Sequence, residues 1–329
     1  MVDRLIFGFL WNYKVECVSR KTLFHSPDRG GLGVTNIRAK LDSFLCVHLG
    51  RLVGGPYAMW QEAAAYWVGL RVDGARAEFR TNARPHTLTA TEFYDAAVRA
   101  YRRLKSARPD VDMNSVSTKT VYAALMTDES QTPVVEAKYP TIDFTAAWKT
   151  ANNNRISPRP RDLGWQIVHT VLPVHFYLYS LNITKILTCP LCQADSETLQ
   201  HLFLFCPIVR PVWLVLDGWL SAIWGKRFVS TARSVLFYQM SGIDDADIRT
   251  LVAVTSAELK FSIWTARNRA KFENKLVTSD ALRKLFTYAV KSRIQADHIR
   301  LDEGAFADLW CRAGVLADVG LNDGLYIKI

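Results

Sequence analysis

The chain has no apolar run long enough to cross a bilayer. Nothing in it approaches the roughly 20 consecutive apolar residues that a spanning helix needs. The apolar stretch from Leu5 to Trp11 is too short for a secretory leader, and no small-residue cleavage site follows it. Cysteine is scarce: six in 329 residues, at Cys17, Cys46, Cys189, Cys192, Cys206 and Cys311. Three of them crowd into one short window and the rest are scattered, which is not how a disulfide framework is laid out. The expected setting is therefore reducing and intracellular, nuclear or cytoplasmic, with no membrane partner. Phosphate-cradling loops are missing too. Gly30, Gly31 and Gly33 are followed by no Lys-Ser/Thr pair and match no G-x-G-x-x-G pattern. Acidic residues number 31 against 41 Lys plus Arg.

What is there is apolar and basic. Nearly half the residues are apolar, with ten Trp and sixteen Phe, enough to bury a core and to exclude wholesale disorder. The net charge of +10 favours polyanionic partners, RNA or DNA first among them. The length suggests more than one domain. Patterning divides the chain into 1–60 (a Gly-rich turn plus a helix), 61–144 (helices with polar loops), 145–225 (a metal-binding segment) and 226–329 (a helical tail).

Apolar residues at helical spacing predict helices over 36–52, 91–108, 121–126, 163–179, 245–275 and 280–300. Pro173 should split the fourth, and Asp162 could cap it. Residues 105–118, 127–142 and 152–161 are polar, Pro-bearing and expected to be loops. Strand signals are few. The expected fold is mainly α, with helical bundles whose outer faces are basic and a small CCHC segment in the middle.

That segment reads Thr188-Cys189-Pro-Leu-Cys192, then Glu197-Thr-Leu-Gln-His201-Leu-Phe-Leu-Phe-Cys206-Pro207. The pattern is C-x2-C-x8-H-x4-C. A C-x2-C turn presents two thiolates to one ion, and His201 and Cys206 would close a tetrahedron around zinc. Ser196 is placed to cap the helix that carries His201. His201 and Cys206 align poorly on one continuous α-helix, but Pro207 should end it and turn the thiol back. Four protein ligands leave no open position for a catalytic water, so the zinc would be structural. A zinc deaminase would need H-x-E upstream and Pro directly before the first Cys. Thr188 stands there, and none of His86, His169 or His175 is followed by x-Glu.

Together with Asp162-Leu-Gly-Trp165-Gln-Ile-Val-His169 and Trp213, this segment resembles the zinc-binding segment of non-LTR (LINE-type) retrotransposon reverse transcriptases. Phe9-Leu-Trp11, the Gly30-Gly-Leu-Gly-Val-Thr-Asn-Ile37 run and the Lys40 helix resemble the region that follows the polymerase in those polyproteins. Ile263-Trp264 with Arg267-Asn268 resembles the helical tail beyond. The likeness covers about 1–52 and 145–215 and is weaker over 245–300. It implies binding of template RNA or target DNA during target-primed reverse transcription, beside a polymerase domain encoded upstream. Such a polymerase needs an aromatic-x-Asp-Asp hairpin to hold its metals. Asp244-Asp245 lacks that context and reads as a helix N-terminal turn. The chain is therefore expected to be no enzyme, but a fragment or domesticated remnant.

Some relatives carry a nuclease after the zinc segment, and Asp247 with Glu258-Leu-Lys260 fits its spacing loosely. Helical periodicity argues against that reading. Candidate nucleic-acid contacts are Arg155, Arg159 and Arg161 beside the zinc segment, Arg99, Arg102 and Arg103 on the 91–108 helix, and Arg267, Arg269 and Lys271 on the tail. Tyr177 or Tyr179 could stack on unpaired bases. The competing expectation is a zinc-stabilised structural or protein-interaction piece with no specificity for nucleic acid.

Overall fold

The structure is a computed structural model describing residues 2–11, 16–69, 91–127, 132–320 and 324–329. Residues 70–90 of the expected helical segment 61–144, His86 among them, and 128–131 of an expected loop lie outside the described residues. The chain forms two compact units, Met1–His25 with Gly31–Gln131, and Ser26–Gly30 with Thr132–Ile329.

The first unit contains α1 (Val2–Leu10), α2 (Arg20–Phe24), α3 (Ile37–Gly54), α4 (Trp60–Gly69), α5 (Glu92–Ala107) and α6 (Thr118–Thr127). Asn36 starts α3, its side chain accepting the Ala39 N–H at 3.1 Å. α3 packs on α5 and α6. Cys46, Leu49 and Val53 face Ala97, Tyr101, Leu104 and Val121 in one apolar core. The stripe expected on α5 is buried at Ala97, Tyr101 and Leu104, while Phe93 stays half exposed with its edge against His48. At Gly50 a side chain would meet the Met113 carbonyl oxygen at 2.7 Å, so the close approach of α3 to the turn Met113–Ser115 requires glycine.

The second unit holds α7 (Val134–Lys138), α8 (Phe144–Ala151), α9 (Pro158–Val168), α10 (His175–Ser180), α11 (Arg210–Trp224), α12 (Ala232–Phe237), α13 (Ala246–Glu273), α14 (Ser279–Arg300) and α15 (Glu303–Trp310). A short antiparallel hairpin, β1 (Ala317–Val319) with β2 (Leu325–Ile327), follows. α13 is the central element and contacts α8, α9, α11, α14 and α15. Every residue from Leu251 to Lys260 is buried. The basic face expected of this helix is confined to its ends, where Arg249 and Arg269 are exposed. Thr255, Glu258 and Lys260 are carried inward, where the Glu258 carboxylate accepts from Ser157 Oγ at 3.3 Å and Lys260 Nζ donates to the Val235 carbonyl at 3.1 Å.

Three local expectations change. The loop 127–142 contains α7, and the loop 152–161 is half helix, since α9 begins with Pro158 at its first position. Proline has no N–H for a helix start to leave unpaired, and its fixed φ suits that position. Ser157, not Asp162, is the residue before the helix. As Pro173 suggested, the segment 163–179 is two helices, α9 and α10, with Thr170 between them at φ 58.

The turn Pro27–Arg29 packs on α8 and ends at Gly30, which has φ 79. A side chain there would strike the Trp148 ring at 2.7 Å. The Gly30 carbonyl accepts from Trp165 Nε1 at 3.0 Å and from His169 Nε2 at 2.7 Å. Trp165 and His169, four residues apart on α9, reach one acceptor because positions i and i+4 share a helix face.

Candidate metal centre

Thr188 and Ser196 form an isolated antiparallel bridge, and the chain between them folds back on itself. Cys189 N–H donates to Asp195 O at 2.7 Å, and Gln193 N–H to Cys189 O at 2.8 Å, with Gln193 in the left-handed region at φ 56. This tight loop turns the Cys189 and Cys192 thiols to one side.

The other two ligands come from a π-helical turn, His201–Phe205. Its cap is Thr198, not Ser196: Thr198 Oγ1 accepts the His201 N–H at 3.0 Å. The Cys206 N–H donates to His201 O at 2.7 Å, a five-residue step. Widening the turn from four residues to five brings His201 and Cys206, misaligned on an α-helix, onto the same side. Cys206 then leaves the helix at ψ 129, as a residue before proline must.

The four ligand atoms lie within 4.8 Å of one another. With Zn–S near 2.3 Å and Zn–N near 2.0 Å, a tetrahedron sets its donors about 3.5–3.8 Å apart, so the donor set and spacing fit zinc. His201 Nε2 is 3.3 Å from Cys192 Sγ, and its Nδ1 faces the Asp195 carboxylate at 3.8 Å.

Cys189, His201 and Cys206 are buried, Cys192 partly so. The Cys206 thiol hydrogen-bonds the Cys189 sulfur and, with the Cys192 and Leu191 amides, brings its pKa down to about 5. The same contact, with burial, pushes Cys206 up. A pair of thiols that share a hydrogen bond in this way would give up their protons to a bound cation.

A buried charge network ties this loop to the rest of the unit. Glu197 has no exposed surface. Its carboxylate accepts from Arg267 Nε at 2.6 Å, from Arg267 Nη2 at 2.8 Å and from the His175 N–H at 2.7 Å. His175 Nδ1 bonds the Thr188 carbonyl at 2.7 Å, one residue before the first ligand. The spacing of Glu197 in the sequence, beside Asp195 in a polar loop, gives no sign of this buried role.

Residues 117–213 match the protein family described as zinc-binding in reverse transcriptase. A zinc-binding, reverse-transcriptase-associated domain is therefore present in this mostly helical chain. The match includes all four ligands, Glu197 and the Trp165–His169 pair, and ends at Trp213 in α11. A comparison with curated proteins gives no match.

The candidate nucleic-acid contacts separate into groups. Arg99, Arg102, Arg159 and Arg269 are exposed, and Arg155, Arg161 and Lys271 are half-buried. Arg267 is corrected: it is buried, and its guanidinium is occupied by Glu197, the Pro173 carbonyl and Asn268, so it holds the fold together. Arg103 is partly exposed and grips Asp42 on α3 through two hydrogen bonds, at 2.8 and 2.5 Å. Of the two tyrosines, Tyr179 is half exposed. Glu258 and Lys260 lie in the buried stretch of α13, and Asp247 pairs with Arg312 at 3.0 Å near the helix start. Asp245 is the α13 cap, accepting from the Asp247 and Ile248 amides.

Proposed function

We propose that the protein is a zinc-stabilised nucleic-acid-binding piece of a non-LTR retrotransposon reverse transcriptase. It holds template RNA or target DNA during target-primed reverse transcription and does not polymerise by itself. The observation that carries this reading is a charge arrangement. In the unit that contains the zinc ligands, the buried carboxylates Glu197 and Asp297 are answered by Arg267 and Arg293. Arg159, Arg161, Lys185 and Arg269 have no ion pair among the described residues and reach the surface. These cations, in a chain whose formal charge is +10, face water, where phosphates would meet them.

Exposed aromatic rings around the ligands, Phe176, Tyr179 and Phe205, support base stacking on a single strand. With their aliphatic neighbours Ile183 and Ile186, they also favour a second reading, in which this face meets a polymerase domain.

Titration of the zinc-loaded protein with labelled single-stranded RNA and with duplex DNA at several salt concentrations separates the two. Binding of a strand predicts log K falling linearly with log salt, by about 0.7 per phosphate contacted on RNA and about 0.9 on duplex. A flat response, or equal binding by the Cys189→Ser/Cys192→Ser variant, overturns the first reading.

A further inference from the structure

α8 and the first turns of α13 border a cleft of about 540 Å3, whose third wall is the turn after α12. Tyr238 at φ 53 and Gly242 at φ 79 shape that turn. The volume falls in the usual range for a ligand site, about 300–1,000 Å3. Nothing in the reading of the zinc segment uses this cleft.

Its lining is basic and rich in donors. Lys149 enters from α8 and Arg249 from α13, and both are exposed. Lys149 has no ion pair among the described residues. Arg249 gives Nη1 to the Ile243 carbonyl at 2.9 Å, which orients the guanidinium and leaves Nε and Nη2 as donors. The acids nearest it in the helix, Asp245 and Asp247, are held by Arg312 at 2.7 and 3.0 Å. Asp143 is the one carboxylate of the lining, and it accepts the Ala146 N–H as the cap of α8.

Thr150 and Gln239 add neutral donors. Asn153 accepts the Arg155 N–H on its Oδ1 at 2.9 Å, which leaves its amide NH2 free to donate. Asn153 also makes the rim of the cleft continuous with the stretch that carries Arg155, Arg159 and Arg161.

We propose that this cleft is a phosphate-binding site that takes the backbone of a nucleic-acid strand, with Lys149 and Arg249 as its phosphate contacts. The inference rests on the nucleic-acid-binding reading and deepens it by placing part of the strand's path. A phosphate meets a point charge from Lys149 and a planar pair of donors from Arg249, and the neutral donors complete its oxygens.

The test compares wild type, Lys149→Ala/Arg249→Ala and Lys149→Arg/Arg249→Lys. Each is titrated with a labelled single-stranded RNA 12-mer across salt, and with AMP as the free phosphate ester. Zinc stoichiometry and circular dichroism verify that each variant is folded, which is expected because both side chains lie at the surface. The expected result is that the alanine pair lowers the steepness of the salt dependence by about 0.7, for the one phosphate that the two cations hold between them. The charge-conserving pair should keep the wild-type slope. RNA binding with an unchanged slope in the alanine pair overturns this inference and leaves the proposed function standing. AMP binding that depends on the two cations, with no RNA binding, retains the phosphate site but overturns the strand as its source, and the proposed function with it. Binding of neither overturns both.

Discussion

The α3–α5–α6 core of the first unit and the ligand loop 188–206 of the second are held by different physics. In the core, Leu49, Leu104, Val121 and their neighbours bury aliphatic surface on regular helices, and any one of them is a modest part of the total. Between Thr188 and Thr198 there is one bridge, and Leu191 is the only buried apolar residue besides Cys189. The loop instead converges on three thiols and an imidazole, and on Glu197, a carboxylate without exposed surface. Packing spreads stability over many replaceable contacts, whereas ligation and a buried ion pair concentrate it in five or six side chains. Single changes should therefore be far more damaging in the loop than in the core.

Removing the metal breaks the comparison most sharply. Zinc contributes about 10 kcal/mol or more to the folding of small closed sites at neutral pH. The Cys189→Ser/Cys192→Ser variant should lose its one zinc per chain. Amides such as Gln193, which bonds the Cys189 carbonyl, should lose protection in hydrogen exchange. Amides of α3 and α5 should keep theirs. Equal loss in both units would show that the loop is not separately held.

Next in size is Arg267→Ala. It leaves Glu197 buried and unpaired, which costs about 3–5 kcal/mol. Arg103→Ala breaks a bidentate pair whose arginine is 38% exposed but whose Asp42 carboxylate is buried, so it should cost less than Arg267→Ala, about 1–3 kcal/mol. Urea unfolding of the two variants side by side decides this, and equal losses would sink the contrast between a fully buried pair and one open to water on the arginine side.

What the sequence showed follows the same division. Helical periodicity marked α3, α5, α13 and α14 because apolar spacing is a local property. The C-x2-C and His-x4-Cys spacings marked the ligands for the same reason. Hidden were the features fixed by partners distant in sequence. Arg267 looked like a surface cation on a basic tail, and only the fold sets Glu197 beside it, 70 positions away. α13 looked amphipathic enough to face solvent, yet it is enclosed by neighbours that periodicity cannot assign. The π-helical turn was invisible as well, though the misfit of His201 and Cys206 on a regular helix pointed to a local departure. Pro158 misled for a different reason: proline breaks a helix interior but starts a helix well, and its position relative to the helix start decides which.

A contact of a third kind, a neutral histidine, acts only through pH. Burial among Trp148 and Trp165 holds the His169 pKa at about 4, against an ordinary 6.5, although its bond to the Gly30 carbonyl opposes the shift. The folded chain therefore keeps the imidazole neutral, while the unfolded chain takes up a proton below pH 6.5. Stability from this residue is complete above that pH and declines as pH falls toward about 4, by about 3 kcal/mol in total. Below pH 4 both states are protonated and the loss stops growing. Thiol protonation at the zinc site falls in the same range, so the isolating comparison is with His169→Gln, whose amide can still donate to the Gly30 carbonyl but does not titrate. The wild type should lose about 3 kcal/mol relative to that variant between pH 7 and pH 4, read from urea midpoints at each pH. Parallel pH profiles would mean that His169 is protonated in the folded chain. The clamp of Trp165 and His169 on Gly30 would then be a charged contact, closer in kind to the Glu197–Arg267 pair than to the apolar core.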